Sequence, residues 1–206
     1  MRLKTLLLSA GALLAAATGA QAALIPTLAS ITNNGSDFTW NYDVTLSGDT
    51  GLVSGHRFVL FDFTGYVPGS VASPYSFFTA STELITTGLL TVPGEVDDPN
   101  KANLVFTYNG APYHTSSGPF APTDYLGFTA RSIYGAVARD TFAAITVKNN
   151  PNNRPGGTGT PVYDAGYITV PAVGAIPEPA TWAMMLTGFG GAGLLLRRRR
   201  SIGVAA

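Results

Sequence analysis

The residues with the most distinctive chemistry lie together near the C-terminus. Pro177, Glu178 and Pro179 precede an apolar tract without charges, residues 180–196, and four arginines follow it at 197–200. The tract reaches the short end of the length range for a membrane-spanning helix. A helix satisfies its own backbone hydrogen bonds in hydrocarbon, so the tract's glycines are tolerated there. The sequence therefore predicts one transmembrane helix over about 180–196.

The residues around this tract predict its orientation. Trp182 suits the interface between membrane and water, and the arginines favour the cytoplasmic side, which leaves 201–206 as a short cytoplasmic tail. Pro179 is tolerated in a first helical turn and disfavours helical geometry at Glu178. We therefore expect the Pro-Glu-Pro segment to project as a stiff, extended peptide that a membrane-embedded enzyme can reach.

This arrangement resembles the PEP-CTERM sorting signal, in the variant with a Trp-Ala pair three residues after the second proline. Tails that resemble this one are also catalogued as an ice-binding protein C-terminal domain, a label that implies nothing about ice. The resemblance implies recognition by an exosortase, which is a membrane cysteine protease or transpeptidase, and cleavage near the Pro-Glu-Pro. It also implies transfer to the outer surface, often alongside exopolysaccharide. The sorting motif would be Pro177, Glu178, Pro179, Trp182 and Ala183, and the membrane stop Arg197, Arg198, Arg199 and Arg200.

An ordinary C-terminal anchor that contains Pro-Glu-Pro is the alternative for this segment. A plain anchor needs neither the motif nor the tryptophan spacing, so the sorting interpretation is favoured. The resemblance covers about 24 of the 206 residues and ascribes no site to the rest of the chain.

The N-terminus has the three parts of a secretory signal. A basic n-region precedes an apolar stretch over 6–17, and Ala20 and Ala22 are the small residues of a cleavage site. We expect a signal peptide over 1–22 and a mature chain that begins at Ala23. An uncleaved anchor is the alternative, and the short apolar stretch argues against it.

Between the two signals lies an exported body, residues 23–170, followed by a linker over 171–176. The body is large enough for one domain with a core. Body and linker carry six basic and eleven acidic side chains, a net charge of −5, which does not suit nucleic acid or anionic lipid. The chain has no cysteine, and therefore no disulfide and no thiolate chemistry. The expected partners are signal peptidase, exosortase, the inner membrane in transit and exopolysaccharide.

The body shows no recognisable catalytic constellation. His56 and His114 stand in separate segments without the spacing of metal ligands. The sequence also lacks a Gly-x-Ser-x-Gly elbow and a phosphate-binding loop. We therefore predict no enzymatic activity and no cofactor.

Two weaker candidates for ligand binding remain in the body. Glu95, Asp97 and Asp98 form an acidic loop that could ligate calcium, although a solvated loop is the simpler interpretation. Trp40 and Tyr42 could stack on a sugar, although their alternation with polar residues favours a place in the core.

Short strands separated by turn residues predict an all-β fold, a single antiparallel β-sandwich of about seven to nine strands or a jelly roll. The clearest strand is 37–46, where period-two alternation places the large residues on one face. Residues 56–63 are apolar on both faces apart from Arg57 and Asp62, a pattern typical of a central strand, and Asn109-Gly110 signals a hairpin. The other predicted strands are 24–32, one or two within 75–87, 89–92, 104–108, 125–134, 141–148 and 162–170.

Three functions fit these observations. The first is a non-catalytic protein of the cell surface or extracellular matrix, held in the inner membrane with its body in the periplasm until it is processed. The second is a carbohydrate-binding module, and the third and weakest is an exported hydrolase.

Overall fold

The body is built from strands. The computed structural model describes residues 24–48, 50–114, 122–148 and 160–174, together with Met184, Thr187 and Phe189. Between Leu24 and Gly174 the described residues contain no helix, which confirms the predicted all-β class. The ten strands are β1 (Leu24–Asn33), β2 (Phe38–Leu46), β3 (Thr50–Leu52), β4 (Arg57–Phe63), β5 (Phe78–Glu83), β6 (Ala102–Tyr108), β7 (Tyr113–His114), β8 (Thr123–Ser132), β9 (Ala136–Lys148) and β10 (Pro161–Ala172).

Both predicted signals lie largely outside the described residues. This holds for the signal peptide over 1–22 with Ala20 and Ala22, and for the sorting and membrane-stop residues at 177–183 and 197–200. Met184, Thr187 and Phe189 have helical backbone. No helical segment with the length and hydropathy of a membrane span occurs within the described part of the chain.

The strands form two sheets in which every pair is antiparallel. Sheet A has the order β1-β2-β8. Sheet B has the order β5-β6-β4-β9, and β3 continues it by pairing with the C-terminal end of β9 and with β7. β10 pairs with β9 from Ala136 to Val147. The chain therefore crosses between the sheets, because β2 in sheet A pairs with β8 and not with β3.

The alternation predicted for β2 is present. Trp40, Tyr42, Val44 and Leu46 are fully buried, and the residues between them are half-buried. These side chains belong to one core cluster together with residues of sheet B such as Phe58. The two sheets thus face one another across a shared apolar layer.

The central strand β4 is buried on both faces, as its sequence predicts. Its inward residues join the main core, whereas Val59 and Phe61 lie in a second cluster with Val105 and Ala143. Leu89 packs on this second cluster. The segment 84–101 therefore crosses the outer face of sheet B, a small satellite core under a long loop.

Residues 89–92 do not form the predicted strand. After β5 the chain leaves the edge of sheet B and passes over its outer face, where no neighbouring strand offers backbone hydrogen bonds. The apolar residues that suggested a strand are used to cover the sheet, or stay exposed like Leu90.

The predicted hairpin at Asn109-Gly110 is also wrong. Tyr113 and His114, the residues of β7, pair with Leu52 and Gly51 of β3 and not with β6. Pairing with neighbours also lengthens two other strands beyond their predicted bounds. β9 begins at Ala136, and β10 continues to Ala172, within the segment that the sequence assigns to the linker.

The two sides of this layered structure differ. On one side the loop 64–77 runs along β8, with isolated bridges between Tyr66 and Ser132 and between Ala72 and Thr129. On the other side β1 and β10, the first and last strands, contact each other without pairing. The Tyr42 hydroxyl donates to the Thr169 carbonyl of β10 at 2.9 Å and ties sheet A to this edge.

We expect Trp40→Ala to lower the free energy of unfolding by about 3–5 kcal/mol, because it removes a fully buried indole. It also removes the hydrogen bond from Nε1 to the Tyr134 carbonyl, which is 3.1 Å long. Chemical denaturation of the mature protein measures the effect. The matched control is Tyr163→Ala, where about half of the side chain is exposed, with an expected change below about 1 kcal/mol. An equally small change for Trp40→Ala would contradict its place in the core.

Candidate functional site

The predicted sorting segment begins directly after the last strand of the body. Ala172 still pairs with Ala136 of β9, and the exposed residues Val173 and Gly174 follow. Pro177 is five residues beyond Ala172, so an extended chain between them spans at most about 18 Å. An enzyme that acts on the Pro-Glu-Pro therefore works close to this end of the two sheets.

A corner of sheet B at the same end contains the body's most unusual backbone. The pairing of β4 with β6 shifts register between Leu60 and Phe63. Within this bulge Asp62 has a φ of 54°, the only left-handed conformation of a non-glycine residue in the described structure. Aspartate tolerates this region better than most residues. The Asp62 amide donates to Asn103 Oδ1 at 2.9 Å, which supports the bulge.

A hydrogen-bond network extends from this bulge into the acidic loop. Asn103 is fully buried, and its Nδ2 donates to both carboxylate oxygens of Asp97 at 2.9 and 3.0 Å. The Thr86 amide donates to Asp97 Oδ2 at 2.8 Å, and the Asp98 amide donates to Asp62 Oδ1 at 3.0 Å. The network thus fixes both ends of the segment that covers the outer face of sheet B.

Burial dominates the electrostatics of this corner. It raises the pKa of Asp62 and of Asp140, with neighbouring carboxylates acting in the same direction. Lys101 Nζ lies 3.8 Å from Asp62 and 3.4 Å from Asp98 and partly offsets this charge. Hydrogen bonds from Asn100 lower the pKa of Asp98. The arrangement holds a loop in place, because its donors and acceptors are already used by protein groups.

The calcium candidate in the acidic loop gains no support from this geometry. Asp97 and Asp98 accept hydrogen bonds from protein donors, and Glu95 is exposed. Across the described ranges no group of three or more His, Asp or Glu side chains is arranged to hold a metal ion. Asn103 and Lys101 were not predicted from the sequence. The one acidic residue in an apolar strand, Asp62, was the sequence feature that indicated this group of residues.

Within the described residues, His56 belongs to a turn and to no group of metal ligands. The His56 amide donates to the Val53 carbonyl at 3.0 Å, and the Val53 amide donates to His56 Nδ1 at 3.3 Å. Burial lowers the pKa of His56. His114 pairs through β7 with Gly51. His56 therefore closes the turn before β4.

Trp40 and Tyr42 do not form a sugar-stacking platform. Both side chains are fully buried, and their polar atoms donate to the backbone carbonyls of Tyr134 and Thr169. The core interpretation of these two residues is confirmed.

The Asp62 corner predicts different outcomes for two substitutions. Asparagine tolerates the left-handed backbone conformation, and its side-chain oxygen can accept the hydrogen bond from the Asp98 amide. The free energy of unfolding of Asp62→Asn should therefore stay within about 1 kcal/mol of wild type at pH 7. Alanine disfavours the left-handed conformation and has no side-chain acceptor, so Asp62→Ala should lower the free energy of unfolding by about 2–4 kcal/mol. Urea unfolding of the mature protein measures both, with Asp124→Ala in β8 as a control. Equal stabilities of the Asn and Ala variants would contradict this role.

The same site predicts a pH dependence. Because the folded-state pKa of Asp62 lies above its ordinary value of 3.8, the carboxyl's contribution to stability is full below that value. The contribution declines as the pH rises through the folded-state pKa. Asp62→Asn should therefore gain stability relative to wild type between pH 4 and pH 7. A difference that stays constant over this range would refute the raised pKa.

Comparison with known proteins identifies the C-terminal segment. Neither the curated proteins nor the solved structures contain a match to this chain. Residues 175–200 match the family model of the PEP-CTERM protein-sorting motif, which covers the predicted sorting residues and the arginines after them. The chain therefore carries a PEP-CTERM protein-sorting motif at 175–200, which marks it as an exported protein sorted by an exosortase.

Proposed function

We propose that this protein is a non-catalytic component of the cell surface or extracellular matrix, which an exosortase releases from the inner membrane and which associates with exopolysaccharide. The body would be a single β-sandwich domain. Signal peptidase would remove 1–22, and exosortase would remove the segment from near Pro179 onward. The sorting motif directly after β10 is the observation that carries this proposal.

The polar side chains described above form hydrogen bonds and ion pairs within the fold, which supports a non-catalytic role. Asp62, Asp97 and Asn103 hold the loop over sheet B, and His56 closes a turn. Arg131 pairs with Asp37 at 3.0 Å, and Arg57 pairs with Glu83 at 3.3 Å. Groups that bind one another in this way hold the fold together and are not poised for proton transfer to a substrate.

A carbohydrate-binding module is the second candidate function. Its candidate surface is the outward face of sheet A, and not the buried residues Trp40 and Tyr42. The outward residues of sheet A carry polar and charged groups in register. Asn41 lies in the middle strand, and its Oδ1 is buried without a hydrogen-bond partner. A sugar bound over this strand would have to move the groups that cover Asn41 Oδ1 before one of its hydroxyls could donate to this acceptor. The rows of this face are Thr32–Thr39–Arg131, Ser30–Asn41–Thr129 and Thr27–Asp43.

We expect replacement of Pro177, Glu178 and Pro179 by three alanines to retain the protein in the inner membrane. Alanines let the membrane helix extend into the segment that the prolines keep extended, which hides the cleavage site. Fractionation of the native host, with intact mass spectrometry of each fraction, measures the outcome. The control replaces Val173 and Gly174 by alanine, because both are exposed and precede the motif's prolines. A surface-exposed wild-type form that still carries 182–206 would show that the tail is an anchor.

A glycan array distinguishes the two candidate functions. For a structural matrix protein we expect no selective binding of the mature protein to single glycans. Reproducible binding that Asn41→Ala abolishes and Tyr163→Ala preserves would replace the first proposal by the second. Tyr163 lies on the outer side of sheet B, away from the face that contains Asn41.

A further inference from the structure

The outer edge of β5 has free backbone groups. The Asn109 amide donates to the Phe77 carbonyl at 2.9 Å, next to the first pair of the ladder between β5 and β6. Backbone groups alternate in direction along an antiparallel strand, so Ala80 and Thr82 face away from β6. No hydrogen bond from another described segment reaches the amides or carbonyls of these two residues. Their four backbone groups therefore form the free edge of sheet B.

The other edges in the described structure are protected against pairing with another chain. Loop 64–77 exchanges two backbone hydrogen bonds with Thr129 of β8, 2.8 and 3.0 Å long. β1 contains Pro26 and a register shift, β10 contains Pro161 and Pro171, and β7 has only two residues. Proline, bulges and short length all prevent association of sheet edges. β5 has six residues in regular register without a proline or a basic side chain, so it has none of these features.

Exposed apolar side chains lie beside this edge. Leu84 and Ile85 follow β5 directly, and both are exposed. Val96 of the loop over sheet B is also exposed. It is held near Ile85, because the following residues Asp97 and Thr86 are joined by a hydrogen bond of 2.8 Å. Grouped exposed apolar residues are typical of a surface that binds another protein.

The charges at this edge favour a second copy of the chain as the partner. Glu83 is the only charged residue of β5, and its carboxylate already pairs with Arg57 at 3.3 Å. A neutral edge offers no unpaired charge to a charged peptide, whereas two copies of it can face each other without repulsion. The sorting motif also directs every copy to the same membrane, which raises the concentration at which copies meet.

One two-fold register uses all the free backbone groups. The Phe78 amide already donates to the Tyr75 carbonyl at 3.0 Å, so a register that pairs Phe78 with Thr82 leaves the Thr82 carbonyl without a donor. A shift in the other direction runs past the end of the strand. Pairing of Ala80 with Thr82 of the second copy, and the reverse, gives four hydrogen bonds. This register places Ser81 opposite Ser81 of the second copy.

We propose that β5 pairs with β5 of a second copy in this register, so that sheet B continues across a two-fold axis into the other molecule. Such an interface is the same surface patch on both copies. No like charges meet in it, because Glu83 lies opposite Thr79 of the second copy. The proposal is independent of whether the body is a structural protein or a carbohydrate-binding module.

Single cysteines can report this register, because the chain has no cysteine of its own. Facing residues of a pair without hydrogen bonds have Cα atoms about 4.5 Å apart, which is within the range of a disulfide. We expect Ser81→Cys to form a covalent dimer when the mature protein, purified from its host, is oxidised in solution. The matched control is Thr79→Cys, which is exposed on the same face of β5. Its two copies would lie at least about 13 Å apart, so it should stay monomeric.

Charges at Ser81 test the same contact without a covalent bond. Ser81→Lys and Ser81→Glu each place like charges on the two-fold axis, and both face solvent in a monomer. We expect each variant alone to raise the dissociation constant of the dimer by about tenfold, which corresponds to about 1.4 kcal/mol. An equimolar mixture of the two variants should associate at least as tightly as wild type, because opposite charges then meet. Analytical ultracentrifugation measures all four samples.

Three results would overturn the proposal. The first is a wild-type mature protein that remains monomeric at millimolar concentration. The second is equal covalent dimer formation by Ser81→Cys and Thr79→Cys, which would mean that the copies collide without a fixed register. The third is a mixture of Ser81→Lys and Ser81→Glu that associates no better than either variant alone. Unchanged unfolding temperatures of the Ser81 variants exclude misfolding as the cause of a lost dimer.

Discussion

The contact of Phe128 with sheet B is the interaction on which the body depends. Its ring lies 5.1 Å from the rings of both Phe58 and Phe106 and 5.3 Å from that of Phe78, mostly edge to face. These contacts join β8 of sheet A to three strands of sheet B. Because the chain has no cysteine, apolar burial and backbone pairing must hold an exported domain together. The buried positions of β2 follow from this contact, since β2 pairs with β8.

The sequence predicted those parts of the fold whose signal is local. Alternation over 37–46 identified β2 and its buried face, and apolar residues on both faces identified β4 as central. β3 and β7 have three and two residues, too few to show a period. The segment around Leu89 resembled a strand, because a loop that packs on a sheet and a strand that belongs to a sheet both carry apolar side chains. Local pattern therefore does not distinguish a strand from a loop that packs on one.

The same distinction separates the two kinds of site. The sorting motif lies in one contiguous peptide, so its residue types, order and spacing could be recognised from the sequence alone. The corner around Asp62 joins residues from two strands and a loop, and only the register shift in β4 brings them together. Trp40 and Tyr42 show the limit of residue type alone, because an aromatic ring suits a core as well as a ligand.

The distance along the chain between partners in the fold sets the order in which an exported chain becomes stable. Tyr42 and Thr169 are 127 residues apart, and contacts of such separation form slowly. In a chain exported N-terminus first, β1 and β2 emerge well before β8, and β9 emerges before β10. The last strand is followed within five residues by Pro177. The strand that completes sheet B therefore emerges just ahead of the sorting motif, and the short stretch between them leaves little chain length in which the slow long-range contacts can form before the motif is exposed.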